Sequence, residues 1–188
     1  QKGNSVFLLR DIAPNPATPG LTPQPQFVGL ASKFNVLDLN LAWDSELPED
    51  LKLRSQTNFI HNLAYDKGKM LKRSEGQIVN NINSDGQFES GGNALLVQFT
   101  LGSALEMRRK GDWNVLAGYK YIQPDALPDG FNDSSFHLGG TNAKGYFIGA
   151  NYGLDKNIYA SARWLSASEV YGAPFEVDVM QLELNTRF

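Results

Sequence analysis

The chain has 188 residues, a formal net charge of −3, 41% hydrophobic residues and no cysteine. The length suits one domain over residues 1–188, with room for a core or a barrel. The charge excludes a basic nucleic-acid surface, the missing cysteines exclude thiol chemistry and disulfides, and no run nears the roughly 20 apolar residues of a membrane helix.

The first residue, Gln1, opens a polar segment with no signal-peptide pattern. The expectation is a mature start or a piece of a longer chain. SVFLLRD at residues 5–11 reads as the visible end of a first strand. Residues 12–25 hold five of the nine prolines and read as loop, since proline removes ladder donors. Residues 27–44 read as one long strand. Phe27, Gly29, Ala31, Leu37, Leu39, Leu41 and Trp43 share one face; Val36, Asp38, Asn40 and Ala42 share the other. After a short turn around Pro48, residues 51–65 return. Leu51, Leu53, Phe59, Leu63 and Tyr65 alternate with Lys52, Arg54, Gln56, Asn58 and Asn62. That second row is costly to bury in a dry core. A watery lumen would accept it.

Residues 66–92 read as a long polar loop, of a length that often signals function. Residues 93–107 form the next strand, with Leu95, Val97, Phe99, Leu101 and Leu105 outward and Gln98, Thr100 and Glu106 inward. RRKGD at 108–112 is a tight turn. Residues 113–122 rise again, residues 123–143 form a second long loop, 145–152 and 157–166 form a hairpin, and 174–188 form the last strand. That strand places Met180, Leu182 and Leu184 opposite Gln181, Glu183, Asn185 and Arg187, and ends on Phe188.

Long connections thus alternate with short ones, and every strand alternates in polarity. This pattern predicts an all-β fold: an antiparallel up-and-down transmembrane β-barrel of about eight strands, either complete or the C-terminal part of a larger one. Hydropathy averages are blind to such strands. The prediction places both chain ends on the side of the short turns. It also places aromatics in two girdles, with Trp43, Trp113, Tyr152 and Phe188 at the short-turn rim and Tyr65, Tyr121, Tyr146 and Trp164 at the loop rim.

Four stretches carry a family resemblance: SVFLLRDIAPNP, QFVGLASKFNVLDLNLAWD, NDSSFHLGGTNAKGYFIGANYGL and ARWLSASEVYGAPFEVDVMQLELNTRF. In this order, over nearly the whole chain, they resemble the C-terminal region of a putative-porin family of Gram-negative bacteria. FHLGGTNAKGY at 136–146 is the most specific piece. The resemblance implies an outer-membrane location and a diffusion-pore role, and it carries no catalytic or substrate residue. It also implies that the C-terminal strand ending at Phe188 is read by the barrel-assembly machinery. Outer-membrane lipid and lipopolysaccharide are the expected surroundings, and a homo-oligomer is compatible with the pattern.

Asp38, Lys52, Arg54, Glu106, Lys120, Arg163, Glu183 and Arg187 are the candidates for lumen charge, with Arg54, Lys120 and Arg163 as solute-facing cations. Mixed signs predict weak ion selectivity. The same residues would serve equally as ion-pair networks in the wall. Asn81, Asn83, Asp85 and Gly86 match part of an EF-hand spacing, but Gly92 stands where the bidentate Glu belongs, so a solvated turn is expected and no metal. GGTNAKG at 139–145 lacks the strand-to-helix setting and the Lys-Ser/Thr pair of a phosphate loop. It is expected to be a flexible loop folding against the pore mouth. His61 and His137 suggest no Ser-His-acid set, and no enzyme and no cofactor are expected. Two other readings stand beside the porin: a closed small barrel with a structural or adhesive role through its loops, and a soluble barrel binding a small apolar ligand.

Overall fold

The computed structural model describes residues 3–11 and 25–187. These described residues are all-β apart from one short helix and one 3-10 turn, with nine strands in two antiparallel sheets. The smaller sheet pairs β1 (Val6–Asp11) with β2 (Pro25–Leu30). The larger holds β3 (Val36–Glu46), β4 (Lys52–Asn62), β5 (Asn93–Gly102), β6 (Trp113–Ile122), β7 (Ala143–Asp155), β8 (Ile158–Ser168) and β9 (Glu176–Thr186), each beside its sequence neighbour. Helix α1 (Lys67–Arg73) lies between β4 and β5.

The alternation read from the sequence matches the ladder. Leu41 pairs with Thr57, Thr57 with Val97, Val97 with Tyr119, and Tyr119 with Tyr146, all on one face. We call this the outer face. It leaves Leu41, Trp43, Met180, Leu182 and Leu184 at least 69% exposed. The other face, here the inner face, carries the polar row of β4 and is partly covered by connections.

One expectation stands only in part, and three are corrected. First, the sheet of seven strands stays open: β3 and β9 are its edges, and no barrel closes among the described residues. Second, residues 27–44 do not make one strand. The chain bends at 31–35, where Ala31 and Ser32 are buried and the Ala31 amide donates to the Ser5 carbonyl at 2.8 Å. An unbroken strand would have far exceeded the roughly 9–11 residues that a tilted strand needs to cross a bilayer. The break lets β2 pair sideways with β1.

Third, the described N-terminal residues lie at the end of the long connections, not with the short turns. Asn4 and Ser5 are buried among residues 80–90, 124–129 and 141. The C-terminal end does lie with the short turns, where the Arg187 amide donates to the Asn157 carbonyl at 2.9 Å. Phe188 lies outside the described residues. Fourth, β5 ends at Gly102, so Glu106 belongs to the 103–112 connection, which tucks Met107 into a buried position.

The connections 63–92, 123–142 and 169–175 gather at one end and pack into a layer. Phe7, Ala31, Met70 and Ile78 form its apolar centre. Asp66 caps α1, its carboxylate accepting from the Lys69 amide at 2.9 Å, so Met70 can turn inward. That capping hydrogen bond also holds the exposed Asp66 carboxyl below the ordinary range.

Candidate pore face and loop layer

The inner face divides along the strands. Towards the short turns it is polar. Asn114 accepts from the Asn151 amide at 2.8 Å, the Ser161 hydroxyl donates to Asn151 at 2.6 Å, and Asn185 donates to Ser161 at 3.4 Å. This ladder runs across β6 to β9, one amide or hydroxyl per strand. Nearer the middle of the strands, Gln98 of β5 donates to Gln56 of β4 at 3.3 Å. Such groups satisfy one another; Asn114 and Ser161 are buried, while Asn151 and Asn185 are half-buried.

Towards the long connections the inner face of β5 to β9 is mainly apolar. Leu96, Leu116, Phe147, Leu165, Ala167 and Val179 surround Phe136, which is fully buried. Phe136 belongs to the 123–142 connection, so that connection folds inward and lies across the sheet. Two further contacts hold it there. Gln181 of β9 donates to the Ser135 hydroxyl at 2.7 Å, and Lys120 of β6 stands 3.7 Å from the Asp133 carboxylate. Gly118 makes room for this arrangement, because a Cβ there would sit 2.4 Å from the Phe147 ring.

The charged candidates sort as follows. Asp38, Lys52, Arg54, Lys120, Arg163 and Glu183 share the inner face by register. Arg54 is engaged by Asp44, a residue the sequence reading left out, through two hydrogen bonds of 2.7 Å. Asp38 accepts from Asn40 at 2.9 Å and from Asn58. Lys120 also lies 4.8 Å from the centre of the Phe136 ring, a cation–π contact. The stem of Arg163 lies over Gly149, where a Cβ would meet its Cγ at 2.8 Å. Glu106, in its connection, binds Arg108 at 2.7 Å and lies 4.0 Å from Arg187. The Arg108 hydrogen bonds hold the Glu106 carboxyl below the usual range. Lys52, Arg54, Glu106 and Arg108 line a polar cavity of about 420 Å³ at the short-turn end.

Of the aromatics, Trp43, Trp113, Tyr121, Tyr146, Tyr152 and Trp164 lie on the outer face by register, and Tyr146 and Trp164 are 6.4 Å apart. Tyr65 instead packs into the loop layer beside Phe7 and Met70.

The loop layer holds what the sequence reading missed. Five asparagines there are at most 4% exposed: Asn4, Asn62, Asn80, Asn81 and Asn142. Asn4 donates to the Pro124 and Leu127 carbonyls at 2.6 and 2.8 Å, and Asn62 donates to the Asp125 carbonyl at 2.8 Å. Asn142 bridges Asn81 at 3.0 Å and the Tyr171 carbonyl at 2.9 Å. Each asparagine joins segments remote in sequence, offering both donors and an acceptor. Two carboxylates complete the layer. Asp129 accepts from the Asn4 amide at 3.1 Å and from the Thr141 amide and hydroxyl at 2.8 and 2.7 Å. Asp125, fully buried, accepts from the Ser5 amide at 3.0 Å, the Ser5 hydroxyl at 2.6 Å and the Ser90 hydroxyl.

GGTNAKG is therefore not slack. His137, Leu138, Gly139, Gly140 and Asn142 all have φ between +53° and +80°, a left-handed run closed by the Thr141–Asp129 contacts. The EF-hand-like residues are spent on the fold. Asn83 accepts from the Asp85 and Gln87 amides at 3.0 and 2.8 Å, and Asn81 is used as above. Among the described residues no group of three His, Cys, Asp or Glu could hold a metal ion. His61 meets Asn93 at 2.8 Å, and His137 meets the Phe175 carbonyl at 2.9 Å and lies 3.7 Å from Glu169.

Searches of curated proteins and of solved structures each returned no match. A family model described as putative porin matches residues 1–188, the whole chain. A sheet apolar on one face, polar on the other and crossed by a folded connection is thus that of a member of the putative-porin family, to which this chain belongs.

Proposed function

We propose that the seven-stranded sheet is wall from an outer-membrane β-barrel, and that the chain serves passive diffusion of small hydrophilic solutes. The observation that carries this is the contrast between the faces. The outer face exposes a large apolar residue on every strand, Leu41, Phe59, Phe99, Val115, Ile148, Trp164 and Met180 from β3 to β9, and a contiguous apolar patch is rarely left open by soluble monomers. The inner face offers water exposed polar side chains at Asp38, Asn40, Lys52 and Glu183. In hydrocarbon every backbone group must be paired, so on this reading the edges of β3 and β9 pair with each other or with further strands to close the wall.

On this reading, outer-membrane lipid and lipopolysaccharide surround the outer face, and the barrel-assembly machinery recognises β9. The 123–142 connection narrows the mouth, and the charges of the inner face are mixed, which favours weak ion selectivity. A non-enzymatic role follows from the pore. A soluble barrel holding an apolar ligand would need the apolar rows enclosed, whereas Leu41, Met180 and Leu182 are open.

The test is reconstitution of the purified protein into planar bilayers and liposomes. Stepwise conductance and solute-dependent liposome swelling are expected. Insertion without conductance would favour a closed, structural or adhesive barrel. A protein that stays monodisperse without detergent would overturn the membrane reading.

A further inference from the structure

Lys120 is an inward cation that the loop largely encloses. Its side chain is 17% exposed, and it faces a cavity of about 200 Å³ between β4–β6 and the 123–142 connection. The cavity walls are mainly Ile60, Leu96, Ile122 and Leu127. An ammonium group has three donors. Here its anionic neighbour, Asp133, stands at 3.7 Å, beyond direct hydrogen-bond length, and its other close neighbour is the face of the Phe136 ring. A half-satisfied cation at the polar end of an apolar pocket matches one ligand chemistry. The partner is an anion with two oxygens to accept from the ammonium and a compact apolar body to fill the cavity.

We infer that this cavity is a binding subsite for a small carboxylate with an apolar body about the size of one ring, held by Lys120 and walled by Ile60, Leu96, Ile122 and Leu127. The volume sets the size, being below the roughly 300–1,000 Å³ of sites for drug-sized ligands. Asp133 competes for the same ammonium. The bound carboxylate takes its place, and the loop loses one of its holds on the wall. The inference rests on the pore reading for how the solute arrives, and on the residues alone for how it binds.

The experiment is calorimetric titration of the full chain, refolded in detergent, with sodium benzoate and with benzamide, its neutral counterpart. Benzoate is expected to bind at least about tenfold more tightly than benzamide, a difference of about 1.4 kcal/mol. Lys120→Met is expected to abolish that preference, Lys120→Arg to retain it, and Asp133→Asn to strengthen benzoate binding severalfold by removing the competing anion. Lys156→Gln, on the β7–β8 turn, controls for general charge and is expected to change nothing. Equal binding of the two ligands by the wild type, or weaker benzoate binding by Asp133→Asn, would overturn the subsite. The second result remains readable if Lys120→Met does not fold. Benzoate binding by a protein that shows no bilayer conductance would sink the pore reading alone. Conductance without benzoate binding would sink the subsite alone.

Discussion

At the scale of single residues, Asp125 carries the heaviest constraint in the loop layer. Burial pushes its carboxyl above the ordinary range, opposed by the hydrogen bonds from Ser5 and Ser90 and reinforced by the nearby charge of Asp129. Both hydroxyls can rotate to accept, so the protonated acid is accommodated as well as the anion. The folded layer holds this proton to higher pH than the unfolded chain does. Its stabilising effect is therefore complete below the ordinary carboxylate range and is lost as pH rises through the raised value. Protease cleavage within residues 63–92 should accordingly be slowest below the ordinary carboxylate range and speed up as pH rises through the raised value, after correction for the protease's own profile. Asp125→Asn, a mimic of the protonated form, should flatten that difference. The other groups facing Asp125, namely Asp129 and Tyr65, stay in place in that variant; burial raises the Tyr65 hydroxyl as well, well away from this range. An unchanged pH profile in the variant would remove Asp125 from this role.

The asparagines show why the site was only half legible in the sequence. A polar residue in a polar stretch is ordinarily solvated, and nothing local in NNINSDG distinguishes Asn80 and Asn81, which are buried, from Asn83, which caps a turn. The available signal was conformational. Asn81 and Asn142 adopt φ near +56° and +59°, a region that Asn enters more readily than most residues. By contrast, the inward placement of Lys52, Arg54, Lys120 and Arg163 followed from counting by two along a strand, because register leaves a side chain only two directions. What that count omits is the partner. Asp44 beside Arg54 and Asp133 beside Lys120 come from another strand and a loop.

At the scale of elements, strand alternation was readable and strand ends were not. The segment SKFN at 32–35 contains neither glycine nor proline, so nothing in it announced the bend that separates β2 from β3. Helix α1 is seven residues long, too short for a 3.6-residue period to stand out, and only Asp66 before it marks a cap. The fold of the 123–142 connection across the inner face is held by Phe136, fully buried against the sheet, with Ala126 and Leu127 as a second apolar anchor beside Ala94 and Ile122. Phe136→Ala should cost the loop packing about 3–5 kcal/mol, the usual range for emptying a buried aromatic site. In bilayer recordings this variant should show larger and noisier conductance steps, since the loop would leave the wall part of the time. Steps of unchanged size and noise would mean that the connection does not lie in the solute path.

At the scale of the whole molecule, the direction of the two edge strands is decisive. β3 and β9 both run from the end of the long connections to the end of the short turns, since six antiparallel pairings separate them. If the sheet curled until these edges met, the seam would be parallel, and a ring of identical copies would repeat that parallel seam at every junction. A ring antiparallel throughout must instead place an odd number of additional strands between β9 and β3. Cysteines introduced at Leu41 and Leu182, in a chain that has none of its own, report on this directly. In the antiparallel ring they remain apart and reduced under mild oxidation, whereas a disulfide within one chain would establish a seven-stranded closure. If the sheet is wall of a barrel, the parity of one sheet thus limits the strand number of the closed ring, and with it the width of its interior.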